Sequence, residues 1–174
     1  MGDTTFKGGC FCGKIRIEYT GEPAMKVSTS LFSTSPSPPA RPSSSHFQAS
    51  RPTDTSFQRQ CLCHCLDCRK ISGSAYSTNI GVPESHFKLV SGTPKTISKI
   101  GDSGNEVTSH FCGDCGSTLY RTGPSFHNSV IIKVGVMDDV DAFEKAKPSV
   151  ELFCDQRVDW VPEIQGAKQL KTMA

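Results

Sequence analysis

The sequence predicts a mainly β fold: a single domain of twisted antiparallel sheets with few short helical turns. Three observations predict it. Short runs alternate apolar with polar residues, Gly or Pro falls between successive runs, and eight of the nine cysteines gather in three tight clusters.

Residues 14–19, Lys-Ile-Arg-Ile-Glu-Tyr, alternate strictly and place Ile15, Ile17 and Tyr19 on one face, the pattern of a half-buried strand. Further strands are expected over 76–82, 87–90, 96–100, 107–111, 118–121, 130–136 and 150–153, punctuated by Gly92, Pro94, Gly101, Gly104, Gly113, Gly116, Gly123 and Pro124. Helical turns are expected only at 65–72 and 138–143. The domain comprises 1–26 and 61–164, with 165–174 as a C-terminal tail. Residues 27–60 break the pattern. They are Pro/Ser-rich and cannot bury enough apolar surface to offset their ordering entropy, so a disordered insertion is expected there. Val27-Ser28 is compatible with a GT-AGT splice donor and Gln60 with a CAG acceptor. The segment therefore reads equally as translated intron sequence, whose removal joins Lys26 to Cys61, or as an ordinary loop insertion.

Composition narrows the function classes. A chain of 174 residues can bury a real core. A net charge of +2 argues against a nucleic-acid face, which needs clustered basic residues. No apolar run approaches the roughly 20 residues of a membrane span, and the best, 130–136, is broken by Lys133. The first residues show no signal-peptide core, and Phe6 stands where a myristoylation signal wants Ser or Thr. An odd number of cysteines in C-x-C and C-x-x-C clusters fits metal binding in a reducing compartment better than a disulfide framework. The expected location is cytoplasmic, with the nucleus as the alternative.

The clusters carry the chemistry. Cys10-Phe11-Cys12 is surrounded by Gly8, Gly9 and Gly13, so the backbone can turn and aim both sulfurs one way. Cys112-Gly113-Asp114-Cys115, followed by Gly116, has the form of half a zinc ribbon. Two such pairs supply four thiolates, and a zinc closed by four protein ligands is structural. It would tie the N-terminal strand to a hairpin about a hundred residues later, a long loop to close. The central cluster differs. Cys63, Cys65 and Cys68 offer three thiolates within six residues, which leaves one zinc position for an incoming ligand, the condition for catalysis. A thiol arriving there binds as thiolate. Arg69 and Lys70 follow directly and could stabilise the thiolates or meet a substrate carboxylate. Cys61 is read as a strand residue facing away from the cluster. Cys154 is read as a buried inert thiol, His64 as pointing opposite to its cysteine neighbours, and His110 as a packing residue. A dithiol redox couple would come with a βαβ pattern that is missing.

At these residues the chain resembles the glutathione-dependent formaldehyde-activating enzyme family, whose domain is shared with centromere protein V. The matching pieces are 8–13 (Gly-Gly-Cys-Phe-Cys-Gly), 63–70 (Cys-His-Cys-Leu-Asp-Cys-Arg-Lys) with Ser72-Gly73-Ser74, and 111–117 (Phe-Cys-Gly-Asp-Cys-Gly-Ser). The ending, from Glu151-Leu152-Phe153 to Arg157-Val158-Asp159-Trp160, also matches. The resemblance implies a twisted β scaffold with two zinc ions. Cys10, Cys12, Cys112 and Cys115 would hold the structural one and Cys63, Cys65 and Cys68 the catalytic one, with glutathione as co-substrate. The implied activity is addition of glutathione to formaldehyde, a carbon–sulfur lyase reaction run in reverse, on a small-molecule thiol and an electrophile. The competing reading is a non-catalytic zinc-stabilised module that binds protein or chromatin.

Overall fold

The computed structural model describes residues 4–21 and 59–173. The insertion expected at 27–60 lies outside the described residues except for its last two. The first sheet contains β1 (Thr5–Gly9), β2 (Arg16–Thr20) and β5 (Phe87–Ser91), all antiparallel and in that spatial order. The second contains β3 (Arg59–Cys63), β4 (Ser77–Pro83), β6 (Lys95–Ile100), β7 (Glu106–Phe111), β8 (Thr118–Thr122), β9 (Ser129–Lys133), β10 (Val150–Leu152) and β11 (Lys168–Leu170). Their order is β11-β10-β3-β4-β9-β8-β7-β6. The fold is mainly β, as the alternation predicts.

Pairing is antiparallel except at one edge, where β10 runs parallel to both β3 and β11. Parallel partners need long return connections, and nothing local in the sequence announces them. The segment set apart as a tail therefore supplies an edge strand. β3 begins at Arg59, so the last two residues assigned to the insertion pair with Gly81 and Ile80.

Period-two alternation divides the larger sheet into two working faces. Ile80, Val82, Val130 and Ile132 pack with Leu119 against Ile17 and Tyr19 of the small sheet and Ile15 just before it, and form the core. Their neighbours Asn79, Gly81, Ile131 and Lys133 face the other way and line an open cleft of about 1440 Å³. The strand expected over 130–136 stops at Lys133, and Val134–Val136 form a 3₁₀ turn whose Val134 stays in the core.

Two short helices complete the described residues. Helix α1 (Leu66–Ser72) starts at Cys65, whose sulfur accepts the Cys68 amide as an N-cap, and stops at Gly73 in the left-handed conformation. Helix α2 (Ala142–Lys145) starts four residues later than the turn expected at 138–143. No described helix is long and apolar enough to cross a membrane.

Candidate metal centres and the cleft

Two hairpin turns face one another to make the first thiol group. Cys10 and Cys12 lie between β1 and β2, and Cys112 and Cys115 lie between β7 and β8. Each turn closes on a glycine in the left-handed region, Gly13 (φ 77°) and Gly116 (φ 75°), where a Cβ would be strained. The Gly13 and Gly116 amides donate to the Cys10 and Cys112 carbonyls at 2.9 Å. The turns also bond each other, since the Phe11 amide donates to Ser117 Oγ at 3.0 Å. The four sulfurs all lie within 4.8 Å of one another, with Cys10–Cys12 at 3.5 Å and Cys12–Cys112 at 3.7 Å. A tetrahedron with Zn–S bonds of about 2.3 Å has edges of about 3.8 Å, so the donor set fits zinc. Hydrogen bonds from the Ser117 hydroxyl and amide bring the Cys115 thiol down to about 5, toward the thiolate a metal needs.

The second group, Cys63, Cys65 and Cys68, is assembled from the end of β3 and the first turn of α1. Its three sulfurs also lie within 4.8 Å of one another, and Cys63–Cys65 is 3.5 Å. Hydrogen bonds from Cys63 and Cys65 hold the Cys68 pKa far below the ordinary thiol value against the opposing effect of burial, with help from Lys133. The same bonds push Cys63 up. All three residues line the cleft, and none of Cys10, Cys12, Cys112 and Cys115 does. Both groups could bind a metal. They differ in that one gathers four sulfurs at two surface turns, with Cys12 exposed, and the other gathers three on the wall of a large concavity.

Cys61 corrects an expectation. It was expected to face away from the cluster, yet positions i and i+2 of a strand share a face. Cys61 lines the cleft beside Cys63 and sits opposite Asn79. It is not within ligand distance of the trio. Cys154 stays apart from both groups and donates toward Gln169 Oε1 at 3.2 Å. His110 stacks on Tyr120 at 4.3 Å and meets Thr122 Oγ1 at 2.9 Å, a packing role. No cysteine forms a disulfide.

Arg69 and Lys70 do not line the cleft. Arg69 donates to the Gln156 carbonyl at 3.3 Å, and Lys70 is exposed. The cations beside the trio are Arg121 and Lys133 instead. Arg121 Nη1 lies 3.7 Å from Cys68 Sγ. Lys133 is only 7% exposed and donates to Asn79 Oδ1 at 2.7 Å. Burial pulls its pKa down, with Arg121 adding to the fall and Cys68 opposing it. The sequence signal was present but misread. Lys133 broke an apolar run, and its phase against Val130 and Ile132 already put it on the face opposite the core.

On the reverse side of β3, His64 and Glu151 form a pair with both side chains fully buried, Nε2 to Oε2 2.8 Å. Glu151 Oε2 also accepts from Arg157 Nη2 at 3.2 Å. Its Oε1 accepts from the Ile164 amide at 2.5 Å and from Gln169 Nε2 at 3.0 Å. Burial disfavours the Glu151 carboxylate, but these donors, His64 first, outweigh it and keep its pKa below the usual range. A carboxylate only accepts, so His64 carries its proton on Nε2, and Nδ1 is left buried without a hydrogen-bond partner. His64 thus points away from its flanking cysteines and anchors the segment that carries them to β10, β11 and the loop between.

The architecture is that of a mainly β domain with one four-thiol group at facing turns and one three-thiol group on a cleft, both of which could hold a metal. The chain belongs to the glutathione-dependent formaldehyde-activating enzyme family, whose profile matches residues 48–156. No curated protein matches the chain. Among solved structures it is similar to a Rhodobacter sphaeroides protein, at 16% identity over 82% of this chain and 96% of that one, with a TM-score of 0.48.

Proposed function

We propose that this protein is a zinc-dependent carbon–sulfur lyase that joins glutathione, or a similar thiol, to formaldehyde or a related electrophile and cleaves the adduct in reverse. The observation that carries the reading is the unequal setting of the two thiol groups. The group held by Cys10, Cys12, Cys112 and Cys115 lies at the facing turns, with Cys12 exposed, supplies four ligands from the protein and borders no cleft, so it serves the fold. The group held by Cys63, Cys65 and Cys68 faces a cleft roomy enough for a tripeptide adduct.

Cys63, Cys65 and Cys68 would hold a zinc ion, which would supply Lewis acidity and one exchangeable position. The chain's own residues do the rest. Cys65 caps α1, which fixes the third ligand, Cys68, over the cleft. Arg121 and Lys133 bring positive charge to the cleft wall beside Cys68, where negative charge gathers. The cleft walls hold thiol and aldehyde within reach of each other, and this proximity is the main contribution, because the uncatalysed addition is already easy. The same reading goes with a cytoplasmic protein, the nucleus being the alternative, and with residues 27–60, less the two that β3 takes up, as an insertion within one zinc-binding domain.

The test combines metal counting with exchange spectroscopy. The protein purified under reducing conditions should hold two zinc ions per chain. It should also accelerate exchange between ¹³C-formaldehyde and its glutathione adduct, followed by NMR. Two zinc ions with no acceleration for any small aldehyde would sink the enzyme reading.

A further inference from the structure

Arg121 and Lys133 present a charge problem that the fold leaves unsolved. Lys133 is almost wholly buried, and its one recorded acceptor is the neutral Asn79 oxygen, which leaves two ammonium protons unmet. Arg121 Nε is buried with no partner at all. Neither cation forms a salt bridge among the described residues. The acidic residues on the cleft wall, Asp67, Glu84 and Asp102, bond neither of them, and Asp67 is taken by Lys99 at 2.6 Å. The Cys68, Cys61 and Cys63 sulfurs favour the Lys133 charge, while burial and Arg121 oppose it. Burying two cations with so few hydrogen-bond acceptors is costly, so the site suits an anion that arrives with the ligand.

Arg121 Nη1 reaches Cys68 Sγ at 3.7 Å, while the side-chain acceptor of Lys133 is the neutral Asn79 oxygen at 2.7 Å. Lys133 is thus the cation with room for a further negative partner. Lys133 and Asn79 sit in register on β9 and β4 opposite Cys61, in the row next to Cys63 and Ser77. This cation is therefore beside the thiol group and not at the cleft rim.

We propose that Lys133, oriented by Asn79 and assisted by Arg121, is the counter-charge for the sulfur of the incoming thiol, so that the cleft selects a small thiol bound as its thiolate. This rests on the thiol-handling function proposed above and names the group that function recognises. The thiol S–H proton leaves to solvent, the sulfur keeps the electron pair, and no oxidant or reductant is involved. Lys133 here is a positioning residue.

The experiment uses zinc-loaded full-length protein and calorimetric titration with glutathione and with S-methylglutathione, which has the same carboxylates and no ionisable sulfur. In two buffers of different ionisation heat, wild type should release close to one proton per glutathione bound and bind S-methylglutathione far more weakly. Lys133→Met should weaken glutathione about 10- to 100-fold, the worth of a charge-assisted contact, and leave S-methylglutathione unchanged. Lys133→Arg should recover part of the loss. Asn79→Leu is the second variant in case Lys133→Met does not fold, and it should weaken glutathione in the same selective way. An equal loss for both ligands would mean that Lys133 meets a carboxylate, and it would overturn the proposal. So would unchanged glutathione affinity in Lys133→Met or in Asn79→Leu. If wild type binds no thiol at all, the functional reading itself falls, which is a different result.

Discussion

Replacing Glu151 by Gln tests whether the buried cluster behind the three-thiol segment holds the site together. The substitution keeps the shape of the side chain and removes its charge. In the native cluster the carboxylate accepts from four donors, two on each oxygen. An amide has one oxygen, so it can satisfy one pair, and its NH2 group then confronts the other pair, donor against donor. Two hydrogen bonds to a charged group are lost, at about 1.5–3 kcal/mol each. The expected loss is about 3–5 kcal/mol, the range for removing one partner of a buried ion pair. For a domain of this size that corresponds to a drop of roughly 6–20 °C in Tm. The assay is urea unfolding followed by circular dichroism at fixed free zinc, because bound metal adds to apparent stability. Zinc content should be measured in parallel. His64 lies between two of the three thiols, so loss of its anchor should also loosen that group and leave the four-thiol group loaded. A loss below about 1 kcal/mol with both metals retained would refute the reasoning, because a charge in no contact with water cannot be removed so cheaply from a cluster that depends on it.

Cys68→Ser should lower the zinc count from two to one per chain and abolish thiol–aldehyde exchange with little change in fold, whereas Cys112→Ser should unfold much of the protein; atomic absorption with circular dichroism separates the two, and equal effects would contradict the division of roles. Gly8→Ala should destabilise by about 1–3 kcal/mol, since a Cβ there would lie 2.5 Å from the Val136 carbonyl oxygen, a backbone atom that cannot rotate away; a neutral effect in thermal melts would show that this approach is looser than described. The Glu151 pKa is depressed in the folded state, so its stabilisation is complete above the unfolded carboxylate value, near 4.5, and is lost as pH falls through the lower folded value. The stability gap between wild type and Glu151→Gln should therefore be constant above about pH 5 and narrow below it, and a gap that widens in acid would reverse the assigned sign.

Sequence alone determined the fold class, most strand positions and the membership of both thiol groups. Those features are local: a two-residue period marks a half-buried strand, and C-x-C or C-x-x-C puts sulfurs on one turn wherever the chain folds. The pairing of the two outer turns was legible too, because four thiolates from two short motifs have few other ways to complete a tetrahedron. Only the tertiary structure decided what surrounds the open group. Alternation says which residues share a face of β3, β4 or β9, but not which face meets the core, so Cys61 was turned the wrong way and Lys133 was passed over as a break in an apolar run. Arg69 and Lys70 drew attention because they are adjacent in sequence to Cys68, while the cation that touches Cys68 comes from β8, 53 residues away. The His64–Glu151 pair spans 87 residues and depends on a parallel edge strand. No local pattern encodes such contacts; they arise when distant strands come into register and a buried charge must find its partner there.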